Sequence, residues 1–254
     1  MTALPTLWHF RVSHYNEKVR WALDWKRIPH RRRAVLPGPH VPVIWWLTGQ
    51  KQVPALRLGD TTITDSTRII AAIEVHRAEP PLYPEASAER DRALALEDFF
   101  DEELGPHLRR VFFYHTLQHA DVATNTLAVG EPASSRRLYR AAFPLVRMVM
   151  RLDMGIDAER SEESRVRVEA AMDRLSRELQ PSGYLVGDRF SVADLTAAAL
   201  LGALAGAPEF PYALPPLVPG LAAWRANLAG HPALEWTRDM YRRHRGASCA
   251  VGDP

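Results

Sequence analysis

The sequence predicts a mixed α/β unit followed by an all-helical one. Strand and helix signals alternate from residue 6 to residue 75, and the segment Glu79-Pro80-Pro81-Leu82-Tyr83-Pro84 is too rich in proline to continue either. Beyond it apolar residues recur at spacings of three and four, with almost nothing that reads as strand. The expected partition is an α/β unit over 1–79, a linker over 80–86, a helical unit over 87–246 and a flexible tail over 247–254.

Residues 6–10 form the first expected strand, 15–26 an amphipathic helix and 30–36 a second strand, after which Pro37-Gly38-Pro39 breaks the pattern. A short helix is expected around 43–47. Two short strands follow, 55–58 and 61–64, joined by Gly59-Asp60 as a hairpin turn. A helix over 66–75 closes the unit. This β-α-β-α-β-β-α order, with a helical crossover between the first two strands, is a thioredoxin-like arrangement. The later helices are expected at 86–118, 134–154, 159–179, 192–205, 217–229 and 232–245. Within them, Phe190-Ser191-Val192-Ala193-Asp194-Leu195 reads as a capping box with a hydrophobic staple, a structural device whose loss in Asp194→Ala is expected to cost about 1 kcal/mol.

Composition excludes several classes of function. Among 254 residues, 32 Lys and Arg stand against 30 Asp and Glu, so the net charge of +2 is no basic field for nucleic acid. The run from Lys26 to Arg33 reads as a solvated basic face. Cys249 is the one cysteine, which removes an internal disulfide, a thiolate metal cluster and a two-cysteine redox motif. No metal site is expected, because His115 and His119 lack the acidic residue of His-Glu-x-x-His. No membrane span and no leader are read from the chain, so the expectation is a cytoplasmic protein.

Val53-Pro54-Ala55-Leu56-Arg57-Leu58, followed by Asp65-Ser66, is the stretch that points to a ligand. A proline opening a strand can leave the preceding backbone free, and Asp-Ser at a helix start adds a carboxylate and a hydroxyl to unpaired backbone N–H groups. Together these suit a small peptide carrying both ends of an amino acid.

The order of these motifs resembles the cytosolic glutathione transferase superfamily over nearly the whole chain. Ser13-His14-Tyr15-Asn16-Glu17-Lys18-Val19-Arg20-Trp21-Ala22-Leu23 looks like the loop and first helix that hold the glutathione sulfur there, and Trp224 with His231-Pro232 is similar to the family's last helices. The resemblance implies a serine-type enzyme in which Ser13 donates a hydrogen bond to the glutathione thiolate, with Tyr15 and His9 as alternatives. Lowering a thiol pKa from 8.5 by about two units takes roughly 2.7 kcal/mol of preferential thiolate stabilisation.

By the same resemblance, Val53 and Pro54 meet the cysteinyl part of glutathione, Asp65 and Ser66 the γ-glutamyl end, and Lys51 or Gln52 the glycine carboxylate. Asn16 belongs to this set and departs from relatives that carry cysteine there, which argues against mixed-disulfide chemistry. The acceptor site is expected at Phe100, Leu104, His107 and Phe112, while Trp45 and Trp46 read as core or as a wall on the glycine side of the site. Residues 116–160 are longer than the family minimum. The implied activity is transfer of glutathione, as co-substrate, to a small hydrophobic electrophile by a homodimer without a tightly bound cofactor. Two alternatives stay open: a non-catalytic binding protein for an apolar ligand or protein partner, and an enzyme using another low-molecular-weight thiol.

Overall fold

The computed structural model describes residues 3–252. Its first unit is a four-stranded sheet in the order β2-β1-β3-β4. β1 (Thr6–His9) runs parallel to β2 (Arg31–Ala34), which follows it through α1 (His14–Trp25), and antiparallel to β3 (Ala55–Leu58). β3 pairs in turn with β4 (Thr61–Thr64) across a turn in which Gly59 takes a φ of 60°, a conformation that glycine adopts without a Cβ penalty. α2 (Val41–Thr48) and α3 (Ser66–His76) complete the unit. This is a thioredoxin-like domain with a mixed sheet.

The rest is helical: α4 (Ser87–Phe99), α5 (Gly105–Thr116), α6 (Ala120–Leu127), α7 (Ala133–Asp153), α8 (Ala158–Glu178), α9 (Val192–Ala205), α10 (Pro219–Asn227) and α11 (Pro232–His244). α9 is buried on nearly every side, because Ala193, Ala197, Ala198 and Gly202 let α1, α4 and α11 close on it. A Cβ on Gly202 would lie 2.2 Å from the Tyr241 Oη, so that approach requires glycine. Asp194 accepts from the Ser191 backbone N–H as the capping box predicts, and also from Leu185 N–H, which ties the preceding loop to the helix.

Four departures from the sequence reading affect the site. The single helix expected over 86–118 is interrupted by a π turn at Phe100–Leu104, which rotates everything after it. α6 lies in a stretch with no expected element. Trp45 and Trp46 are 59% and 84% exposed, so the expectation of core is corrected.

The fourth departure is electrostatic. Within the supposed solvated basic face, Lys26 and Arg32 are buried against Glu74 and Asp24. Arg245 reaches both Glu17, at 2.6 Å, and Asp24, at 3.0 Å, while Arg20 pairs with Glu17 at 2.8 Å. The segment beyond Arg245 is docked rather than free through residue 251: Cys249 N–H donates to Asp24 at 2.8 Å and Val251 N–H to the His30 carbonyl at 2.8 Å. This network clamps α1 between the end of the chain and β2. It therefore fixes the helix whose N-terminus forms the candidate site.

Candidate active site

α1 is capped by Ser13, an extended residue whose Oγ accepts weakly from Asn16 N–H at 3.5 Å. Accepting leaves the hydroxyl proton free to be donated elsewhere. Among the described residues the backbone N–H groups of His14 and Tyr15 have no partner, so the helix presents open donors and its positive end beside that hydroxyl.

The sheet brings the other half. The Ala55–Thr64 pairing of β3 and β4 puts the segment that leads into β3 and the start of α3 at the same end of the sheet. The Trp8–Ala55 pairing of β1 and β3 carries Phe10 towards the same end. The Val53–Pro54 peptide is cis, and neither polar group of the Val53 backbone is hydrogen-bonded among the described residues. Asp65 caps α3 through a 3.1 Å bond from Arg68 N–H and holds φ at 73°, a region costly for any residue with a Cβ and one that concentrates at functional sites. Its carboxylate is exposed, whereas Ser66 is buried behind it.

Ser13, Lys51, Gln52 and Val53 all line a cleft of about 460 Å³ between the sheet unit and the helices, within the usual range for ligand sites. His40, which the sequence reading missed, spans its edge. The His40 Nδ1 accepts from Gly38 N–H at 3.1 Å, its Nε2 donates to the Lys51 carbonyl at 2.9 Å, and burial lowers its pKa. The neutral ring thereby holds the Lys51-Gln52 turn in place. Lys51 pairs with Asp153 across the mouth, tying α7 to that turn.

Two alternatives for the sulfur-binding role are occupied elsewhere. The Tyr15 hydroxyl donates to the Asp101 carbonyl at 2.6 Å, and burial pushes its pKa up, so its proton serves the contact between units. His9 is fully buried and off the cleft wall; the Arg20 guanidinium donates to Nδ1 at 2.9 Å, and burial with that neighbouring cation pushes its pKa far down. Asn16 is likewise buried and off the cleft wall, with neither polar atom of its amide hydrogen-bonded.

Of the four expected acceptor-site residues, only Phe112 reaches the cleft. The π turn carries Phe100 and Leu104 into the core, and His107 faces α8 with Nδ1 3.0 Å from the Ser164 hydroxyl. The wall is instead built from Leu108, Arg109, Phe112, Phe113, residues of α9 and α10, and Val149 and Met150 of α7. Arg109 gave no signal in the sequence, because Arg109-Arg110 in a helix reads as a solvated pair.

A thioredoxin-like sheet joined to a helical bundle, with a helix N-terminus opening on the cleft between them, defines the class. Residues 7–81 match the glutathione S-transferase N-terminal domain model and residues 158–227 the C-terminal domain model, together more than half of the chain. The chain belongs to the glutathione S-transferase superfamily. No curated protein matches it.

Solved structures share the fold. One is a glutathione S-transferase from Methylobacterium radiotolerans in complex with glutathione sulfonate, with a TM-score of 0.62, 20% identity, and 99% of this chain and 97% of that chain covered. Human glutathione-S-transferase T1-1 gives 0.62 and 20%, covering 95% and 84%. A glutathione S-transferase from Xanthobacter autotrophicus gives 0.63 and 18%, covering 96% and 95%.

Proposed function

We propose that this protein ionises the thiol of glutathione and transfers the sulfur to an apolar electrophile. The observation that carries the reading is Ser13: a hydroxyl with an uncommitted proton, at the open N-terminus of α1, on the wall of a largely apolar cleft. A thiolate there gains a hydrogen bond from Ser13 and the field of the helix end. The cleft holds the electrophile beside it, so that the enzyme acts by positioning and ionisation.

Val53 would pair its backbone with the cysteinyl unit, as an added strand pairs with a sheet edge. Asp65 would take the α-amino group of the γ-glutamyl unit, with Ser66 and the first amides of α3 taking its carboxylate. Lys51 and Gln52 would meet the glycine carboxylate. Asn16, buried behind the loop, would act only through the backbone it supports. No tightly bound organic cofactor is needed, and the chain would work as a homodimer in the cytoplasm.

Calorimetric titration with glutathione, followed by turnover of a chromogenic aryl halide, tests this. The expected result is saturable binding weakened about tenfold or more in Asp65→Asn, since a charged hydrogen bond contributes about 1.5–3 kcal/mol. Absence of binding would remove the reading.

A second reading, carriage or docking without turnover, is supported by the exposed apolar residues Leu138, Leu145 and Leu152 on α7. Saturable binding of an apolar dye without any ionisation of glutathione would favour it.

A further inference from the structure

Arg109 is the unexplained charge in the cleft. It lines the wall on α5 among Leu108, Phe112 and Phe113, and among the described residues it makes no hydrogen bond or ion pair. Its Nε is sealed from solvent without an acceptor. The adjacent Arg110 is turned away, donating to the Ser164 hydroxyl at 2.8 Å and the Met154 carbonyl at 3.2 Å. The other charged side chains of the wall, Lys51 and Asp153, pair with each other. A partly buried guanidinium with no counter-ion is costly, and the cost is removed when an anion arrives.

His14 lies beside it. Burial and the Arg109 charge hold its pKa down to about 3, so the ring is neutral at physiological pH. Its Nε2 is buried without a partner, while the ring packs on Tyr15 with centroids 4.6 Å apart. Arg109 and His14 both line the cleft, and a guanidinium beside an imidazole that carries its proton on Nε2 suits the two oxygens of a carboxylate.

We propose that Arg109 and His14 form an anion subsite inside the cleft, and that the acceptor is an apolar molecule ending in a carboxylate. The inference rests on the transferase reading above and deepens it. The apolar body would lie against Phe112, Leu204, Leu217 and Trp224, which share the same wall. The same subsite chemistry could serve another anion, the sulfur of bound glutathione, and the two sources separate by experiment.

The test is calorimetric titration of the full chain with 4-phenylbutanoate and its neutral isostere 4-phenylbutanamide, each with and without saturating glutathione. The expected result is a preference of about tenfold or more for the acid, because a charge-assisted pair is the stronger bond. In Arg109→Gln the preference should vanish while affinity for the amide stays within about twofold, which also reports an intact cleft. The ultraviolet pKa of bound glutathione should be the same in both proteins.

Equal binding of acid and amide to the wild type overturns the proposal without need of a variant. So does a preference that survives Arg109→Gln, or a variant that raises the bound thiol pKa and leaves the preference intact, since the cation then serves the sulfur. A wild type that prefers the acid but binds no glutathione keeps the subsite and removes the transferase reading. Normal thiol ionisation with no preference removes the subsite alone.

Discussion

Asp194→Ala tests how a buried carboxylate supports the helical unit. The carboxylate accepts from Leu185 N–H at 2.8 Å, from Ser191 N–H at 2.9 Å and from the Ser191 hydroxyl at 2.8 Å, and it is fully buried. Alanine leaves two backbone amides without acceptors, at about 1–3 kcal/mol each, so the loss is roughly 4 kcal/mol where the residue carries no charge. That exceeds a simple cap, since Leu185 belongs to a loop that the capping box alone does not involve. Burial, however, raises the Asp194 pKa from its ordinary 3.8 to about 6.

A folded pKa above the unfolded one means that the folded state holds the proton more tightly. Its contribution to stability is then full below about pH 4 and is lost as pH rises through about 6. At one pKa unit per 1.36 kcal/mol, the wild type loses about 2 kcal/mol from this group between pH 4.5 and 7. The deficit of the variant, measured by denaturant unfolding at several pH values, should therefore shrink by about 2 kcal/mol across that range. An ordinary capping carboxylate would do the reverse. A deficit that grows with pH, or one below about 0.5 kcal/mol throughout, refutes the reasoning.

Arg245→Ala should lower stability by about 2–4 kcal/mol in denaturant unfolding, near the low end because Glu17 and Asp24 keep Arg20 and Arg32; a loss under about 1 kcal/mol would mean the clamp on α1 is held by packing alone. Gly105→Ala would place a Cβ 2.1 Å from the Tyr15 hydroxyl and should cost about 1–3 kcal/mol by overpacking, read as a lowered unfolding midpoint. Tyr15→Phe removes one hydrogen bond, to Asp101, and should cost about 1 kcal/mol with turnover largely kept; abolished turnover would assign the thiol contact to Tyr15 instead of Ser13.

Much of the fold was legible because local chemistry decided it. β3 and β4 fall where the Gly59-Asp60 turn and the alternating residues predict them, and α3 starts at the Asp65 cap. Other features depend on contacts that no local pattern encodes. The Glu17–Arg245 pair joins residues 228 apart, so charges that read as solvated faces became a buried clamp; of the expected flexible tail over 247–254, Cys249 and Val251 are docked, and residues 253–254 lie outside the described residues.

The π turn was partly readable in Gly105-Pro106. Proline brings no N–H for the carbonyl of Glu102, and a widened turn accommodates its ring. Missing it put Phe100, Leu104 and His107 on the wrong face. Ser13, Tyr15, Lys51, Gln52, Val53 and Phe112 line the cleft, Pro54, Asp65 and Ser66 are not among its lining residues, and His40 and Arg109 emerge only from three-dimensional packing.

The most direct test of the central claim is an ultraviolet difference titration of glutathione bound to the wild type and to Ser13→Ala, from mildly acidic to mildly alkaline pH. The expected result is a thiolate band in the wild type that titrates about two units below the free thiol pKa near 8.5. In Ser13→Ala that pKa should rise by about one unit or more, with glutathione affinity changed only a few-fold. Identical bands in the two proteins, or saturating binding with no band in either, would contradict it.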